Sequence, residues 1–164
     1  MKKIAYLSLG SNLGDRKTSL REAIARLGEL GHVVAVSSLY ETEPIEVEHE
    51  HPWFLNCALA VETEFEPLEF LSRMLEIERS MGRVRTEPKG DRNIDLDIIF
   101  FGDDVLDTPE LTVPHPALQH RRFVLEPLAE IAPEKKHPVL HQTVLELLRA
   151  LPPDSGSVTR AGQI

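Results

Sequence analysis

A chain of 164 residues is the size of one ordinary domain and can bury a core without help from a second. Its formal net charge of -9 argues against a general nucleic-acid binder, which needs a basic footprint over one face. A single cysteine, Cys57, excludes an internal disulfide, and no apolar stretch reaches membrane-spanning length. The opening MKKIAYLSLGSN passes too quickly into turn residues to be a signal peptide, so a cytoplasmic, monomeric small-molecule enzyme is the expectation. Ile4 to Leu9 reads as a first strand. GSNLGD at 10–15 reads as a turn, without the ending or spacing of a Walker A loop. Leu20, Ala23, Ile24, Leu27 and Leu30 then share a helical face, with Asp15 or Ser19 as N-cap and Gly31 as the stop.

Val33 to Tyr40 and Trp53 to Glu62 read as an antiparallel pair of strands joined by a long polar loop. Pro67 opens a second helix, whose stripe is Phe70, Met74, Ile77 and Met81. Ile94 to Phe101 is a further strand, and Val105–Leu106 with Leu111–Thr112 a short strand pair. Thr143 and Glu146 form a capping box for a last helix striped by Val144, Leu147, Leu148 and Leu151. The order βαββαβ predicts an α+β fold, ferredoxin-like, with extra C-terminal elements covering the free face of the sheet to make a three-layer α-β-α sandwich. Residues 1–151 form one domain, and 152–164, with little to bury, a mobile tail.

The chemistry concentrates in GRVRTEPKGDRNIDLDIIFFG, residues 82–102. Asp95 and Asp97 are two apart in an otherwise apolar strand, so the period of two puts both carboxylates on one face. Paired hard oxygens suit Mg²⁺, with phosphate and water filling its other positions. Arg83, Arg85 and Arg92, with Lys89 between them, reverse the sign of an acidic chain locally and match phosphate oxygens bidentately. A solvated strand end and a basic surface loop would be the structural explanation. Two acids in a strand this hydrophobic favour a metal-phosphate site, because an unpaired buried carboxylate is costly.

Two other segments suit a planar heterocycle. LTVPHPALQHRRFVLEPL, residues 111–128, sets His115, Arg121 and Arg122 beside Phe123, and PWFLN pairs Phe54 with Asn56, whose amide both donates and accepts. No histidine pair forms the H-E-x-x-H zinc motif, and Cys57 reads as a small buried hydrophobe.

Together AYLSLGSNLGD, SSLYETEP followed by WFLN, GRVR, DRNIDLDIIFFG, LTVPHP and RRFVLEPLAEIAP resemble the 6-hydroxymethyl-7,8-dihydropterin pyrophosphokinase family, in that family's order and from the first strand to about Pro133. The resemblance implies transfer of pyrophosphate from ATP to the pterin hydroxymethyl group, releasing AMP, in folate biosynthesis. It implies two Mg²⁺ ions on Asp95 and Asp97, and Arg83 and Arg92 as catalytic arginines. ATP contacts fall to Glu78, Arg85, Arg92, Ile98, Leu111, Thr112, His115 and Arg121. Pterin contacts fall to Thr42, Pro44, Ile45, Phe54, Asn56, Asp95 and Phe123. Residues 45–52 and 83–91 are the implied lids. The chain departs from the family in EPKG at 87–90, Phe at 54, Glu43 and Pro116. A metal-dependent phosphohydrolase and a non-catalytic anion-binding module are the alternatives.

Overall fold

The computed structural model describes residues 1–43, 53–82, 93–153 and 156–164. Strand β1 (Lys3–Ser11) leads into helix α1 (Arg16–Leu27), then β2 (His32–Val36), β3 (Leu39–Thr42) and β4 (Phe54–Thr63). Helix α2 (Pro67–Ser80) precedes β5 (Asp95–Phe101), and a short antiparallel pair, β6 (Leu106–Asp107) and β7 (Thr112–Val113), follows. Helices α3 (Arg122–Ile131) and α4 (Val144–Arg149) come next, and β8 (Val158–Gly162) closes the order. The main sheet runs β5-β1-β4-β3-β8, with β2 also on β4, and every pairing is antiparallel. Its first four positions reproduce the expected ferredoxin-like arrangement.

Alternation along β1 divides the molecule into layers. Ala5, Leu7 and Leu9 pack with Leu20, Ala23 and Leu27 of α1 and Phe70 and Met74 of α2. Tyr6 points the other way, into a second cluster where Ala58, Ile99 and Phe100 meet Val124, Leu125 and Leu128 of α3 and Val144 and Leu147 of α4. Both faces of the sheet are therefore covered by helices, as the predicted three layers require. The register of β1 on β5 shifts at Tyr6/Leu7, so Ile99 is an extra residue between Ile98 and Phe100. This bulge turns Ile99 and Phe100 together toward α3.

Local signals account for the helix starts. The Asp15 carboxylate accepts the Thr18 N–H at 3.1 Å, Pro67 occupies the first turn of α2, and Thr143 with Glu146 makes the full capping box. Three expectations need correction. Helix α1 stops at Leu27, and Gly31 is required elsewhere: a Cβ there would lie 2.2 Å from the Glu62 carbonyl oxygen of β4. The predicted second strand is two strands, because the Ser38 N–H leaves the sheet for the Glu130 carboxylate of α3 at 3.0 and 3.1 Å. The tail is not free. Val158 to Gly162 pair with β3, Arg160 donates to the Tyr40 hydroxyl, and Ile164 packs on the core. Among the described residues no helix is long and apolar enough to cross a membrane.

Candidate functional site

One patch of the α3-side sheet face carries polar residues where the rest of that face carries core. Gly10 of β1 lies opposite Asp95 of β5 on one side and opposite Asn56 of β4 on the other, and Asn56 in turn lies opposite Tyr40 of β3. Directly opposed residues of antiparallel strands present their side chains to the same face. Asp95, Gly10, Asn56 and Tyr40 therefore form one row across four strands, and Ser8 with Asp97 starts the next. Phe54 and Thr42, opposite each other two residues along, complete the β3–β4 end.

Asp95 and Asp97 are both partly exposed, while Leu96 between them is buried against the helices. The strand start is held from behind. Glu78 of α2, 1% exposed, accepts the Leu96 N–H at 2.8 Å, so a buried carboxylate fixes the peptide between the two aspartates. Asn93 adds a bond to the Met81 carbonyl at the end of α2. Among the described residues no cluster of three or more His, Cys, Asp or Glu could hold a metal. Two hard carboxylates on one partly exposed face still meet the modest protein-ligand demand of Mg²⁺.

At the other end of the row Asn56, 4% exposed, accepts the Thr42 hydroxyl proton on Oδ1 at 3.1 Å. Its amide lies across Gly10: a Cβ there would be 3.2 Å from Nδ2, 3.4 Å from Oδ1 and 3.5 Å from Cδ1 of Phe54. The row carries no side chain at Gly10, where one would crowd Asn56 and Phe54, and this leaves a shallow floor between the carboxylates and the amide. Sequence reasoning treated Gly10 as an ordinary turn residue, whereas Gly10 and Ser11 belong to β1 and Ser11 and Asn12 are buried. The signal that could have found it was the alternation of β1, in which glycine falls on the polar face.

His115 enters from the segment after β7, its N–H bonded to the Ile99 carbonyl. Its Nδ1 accepts the Ala117 N–H at 3.1 Å, which leaves the proton on Nε2 as an outward donor. Burial pushes its pKa down to about 4 and the Arg121 guanidinium adds to this, while Asp95 opposes it. The imidazole is neutral near pH 7. Arg121, just before α3, lies with its guanidinium carbon 5.6 Å from the centroid of the Phe123 ring. Thr112 is partly exposed on β7, whereas Ile98 and Leu111 are buried in the core. Arg83, Arg85, Arg92, Pro44, Ile45 and both implied lids lie outside the described residues. Cys57 is buried and its thiol is pushed up to about 12, so it offers no nucleophile.

Known proteins resemble this chain in sequence and fold. Residues 6–133 match the family described as 7,8-dihydro-6-hydroxymethylpterin-pyrophosphokinase. A 2-amino-4-hydroxy-6-hydroxymethyldihydropteridine pyrophosphokinase of Bacillus subtilis is 46% identical over 133 residues, covering 80% of this chain and 79% of its own. A folic acid synthesis protein of Schizosaccharomyces pombe is 44% identical over 152 residues, covering 92% of this chain but only 21% of its own. Among solved structures, a Plasmodium falciparum HPPK-DHPS superposes with a TM-score of 0.74 at 21% identity, over 91% of this chain and 45% of that one. The chain thus spans most of the Bacillus relative and less than half of the longer ones.

Proposed function

The chain belongs to the 7,8-dihydro-6-hydroxymethylpterin-pyrophosphokinase family, and from that premise we infer that it moves the pyrophosphoryl group of ATP to the hydroxymethyl oxygen of 6-hydroxymethyl-7,8-dihydropterin. AMP is the leaving group, and the product feeds folate synthesis. The observation that carries this reading is the row Asp95–Gly10–Asn56. Two strand spacings, about 10 Å, separate an amide suited to a heterocycle edge from a carboxylate suited to a metal. A bicyclic ring with a one-carbon arm, laid across the Gly10 floor, spans that gap.

In this reading Asn56 and Thr42 read the polar edge of the pterin, a role that the resemblance extends to Pro44 and Ile45. Phe54 and Phe123 take its two faces. Asp95 and Asp97 would hold the Mg²⁺ ions, which when bound neutralise phosphate charge and acidify the attacking hydroxyl. Arg83, Arg85, Arg92 and Arg121 receive phosphate oxygens, and His115 donates its Nε2 proton to the nucleotide as a neutral group. Glu78 keeps the two aspartates in register. Thr112, partly exposed on β7, faces the nucleotide, and Ile98 and Leu111 support that side of the site from the core. Phosphoryl transfer asks mainly for alignment and charge stabilisation, so no dedicated base is assigned, and Asp97 is the candidate acceptor for the hydroxyl proton.

The test is incubation with MgATP and 6-hydroxymethyl-7,8-dihydropterin. AMP and pyrophosphorylated pterin should form in equal amounts. Pterin-independent hydrolysis of ATP would replace the reading with a phosphohydrolase, and binding without turnover with an anion-binding module.

A further inference from the structure

Arg16 is the first residue of α1, directly after the N-cap Asp15. A cation there opposes the helix dipole, so helix stability does not explain it. Its guanidinium instead reaches across to the strands. Nη1 and Nη2 form a fork on Glu41 at 2.9 and 2.6 Å, and Nη1 also donates to the Trp53 carbonyl at 2.9 Å. Glu41 sits on β3 between Tyr40 and Thr42, and it lies opposite Leu55, which belongs to the α1–α2 core. The fork therefore acts from the rear of the sheet, while Thr42 belongs to the row of the opposite face. Trp53 immediately precedes Phe54.

We propose that Arg16 is a positioning residue for the pterin, a rear clamp that fixes β3 and the start of β4 relative to each other and so sets the spacing of Thr42, Asn56 and Phe54. The two strands carry these contacts at the ends joined by residues 43–53, where backbone pairing stops at Thr42 opposite Phe54. Among the described residues that is the last pair of the ladder, and the Arg16 fork supplies a cross-link one residue further on, at Trp53. A guanidinium can do this because its planar donors reach two acceptors at once, whereas an ammonium is a point charge. Side-chain exposures of 30% and 33% for the pair mean that its effect on global stability is small. Its effect should appear in ligand affinity instead.

The proposal rests on the pyrophosphokinase reading, and the experiment separates the two. Wild-type turnover of MgATP and 6-hydroxymethyl-7,8-dihydropterin tests that reading first, and equilibrium binding of the same pterin supplies a readout independent of turnover. Arg16→Ala and Glu41→Gln should then weaken pterin binding and raise its KM roughly five- to tenfold, with the KM for ATP within twofold and Tm nearly unchanged. Arg16→Lys should fall between, and Arg16→Glu combined with Glu41→Arg should recover part of the loss. Unchanged pterin affinity in Arg16→Ala, or an equal rise in both KM values, would reduce Arg16 to a surface ion pair.

Discussion

Gly10→Ala is the sharpest test of the floor between the Asp95 carboxylate and the Asn56 amide. The added methyl would lie 3.2 Å from Asn56 Nδ2 and 3.5 Å from the Phe54 ring, tight contacts that a shift of a few tenths of an ångström relieves. That shift falls on a buried amide whose Oδ1 is committed to Thr42. Weakening one such hydrogen bond costs about 1 kcal/mol, and misplacing the Asn56 contact to the ligand adds a similar amount. Against this, alanine in a strand recovers roughly 0.5–1 kcal/mol of backbone entropy. The fold should therefore be nearly unaffected while pterin affinity falls about fivefold, each 1.4 kcal/mol being a factor of ten. Calorimetric pterin titration, thermal melting and the KM for ATP together measure this. Should Gly10→Ala bind pterin within twofold of wild type while Asn56→Ala loses tenfold or more, the open floor is not part of the site.

Gly31→Ala should act in the opposite way, lowering stability by about 2–3 kcal/mol because a Cβ 2.2 Å from the Glu62 carbonyl must displace backbone; a melt unchanged within a degree would contradict it. Glu78→Ala should cost about 2 kcal/mol and reduce kcat, since the buried Leu96 N–H loses its acceptor between Asp95 and Asp97. Glu78→Gln, which keeps an acceptor oxygen, should retain most of the stability, and equal losses in the two variants would argue against that bond. The His115 pKa is lowered from 6.5 to about 4 in the folded chain, so the unfolded chain binds more protons between these values. His115 thus contributes stability that is complete above pH 6.5 and lost as pH falls toward 4. The difference amounts to at most about 3 kcal/mol before solvent screening reduces it. Urea titrations of the wild type and His115→Gln should diverge across that window, and parallel pH profiles would refute the assignment.

The elements legible in the sequence were those whose causes are local. Asp15, Pro67 and Thr143 mark helix starts through bonds or fixed dihedrals spanning three or four residues, and the apolar runs of β1, β4 and β5 follow from burial on both faces. The Asp95–Asp97 pair was legible because strand period alone puts both on one face. What escaped detection depends on partners far along the chain. Gly31 answers to Glu62, Gly10 to Asn56, Ser38 to Glu130 and β8 to β3, and none of these approaches has a signature within a short window. Glu78 was assigned to the nucleotide by resemblance, and its bond to Leu96 became visible only once α2 was seen to pack on β5.

The pairing of Leu39 with Gly162 and Thr42 with Val158 joins segments more than a hundred residues apart, so β3 stays uncovered until residues 158–162 have been made and can fold back onto it. Until then its outer edge is a row of open N–H and C=O groups able to template another chain. Such long-range closure is slow to form. Truncations before residue 158 should therefore be prone to aggregate during synthesis even where the helices and β5 are intact, and β8 acts as a seal on the sheet.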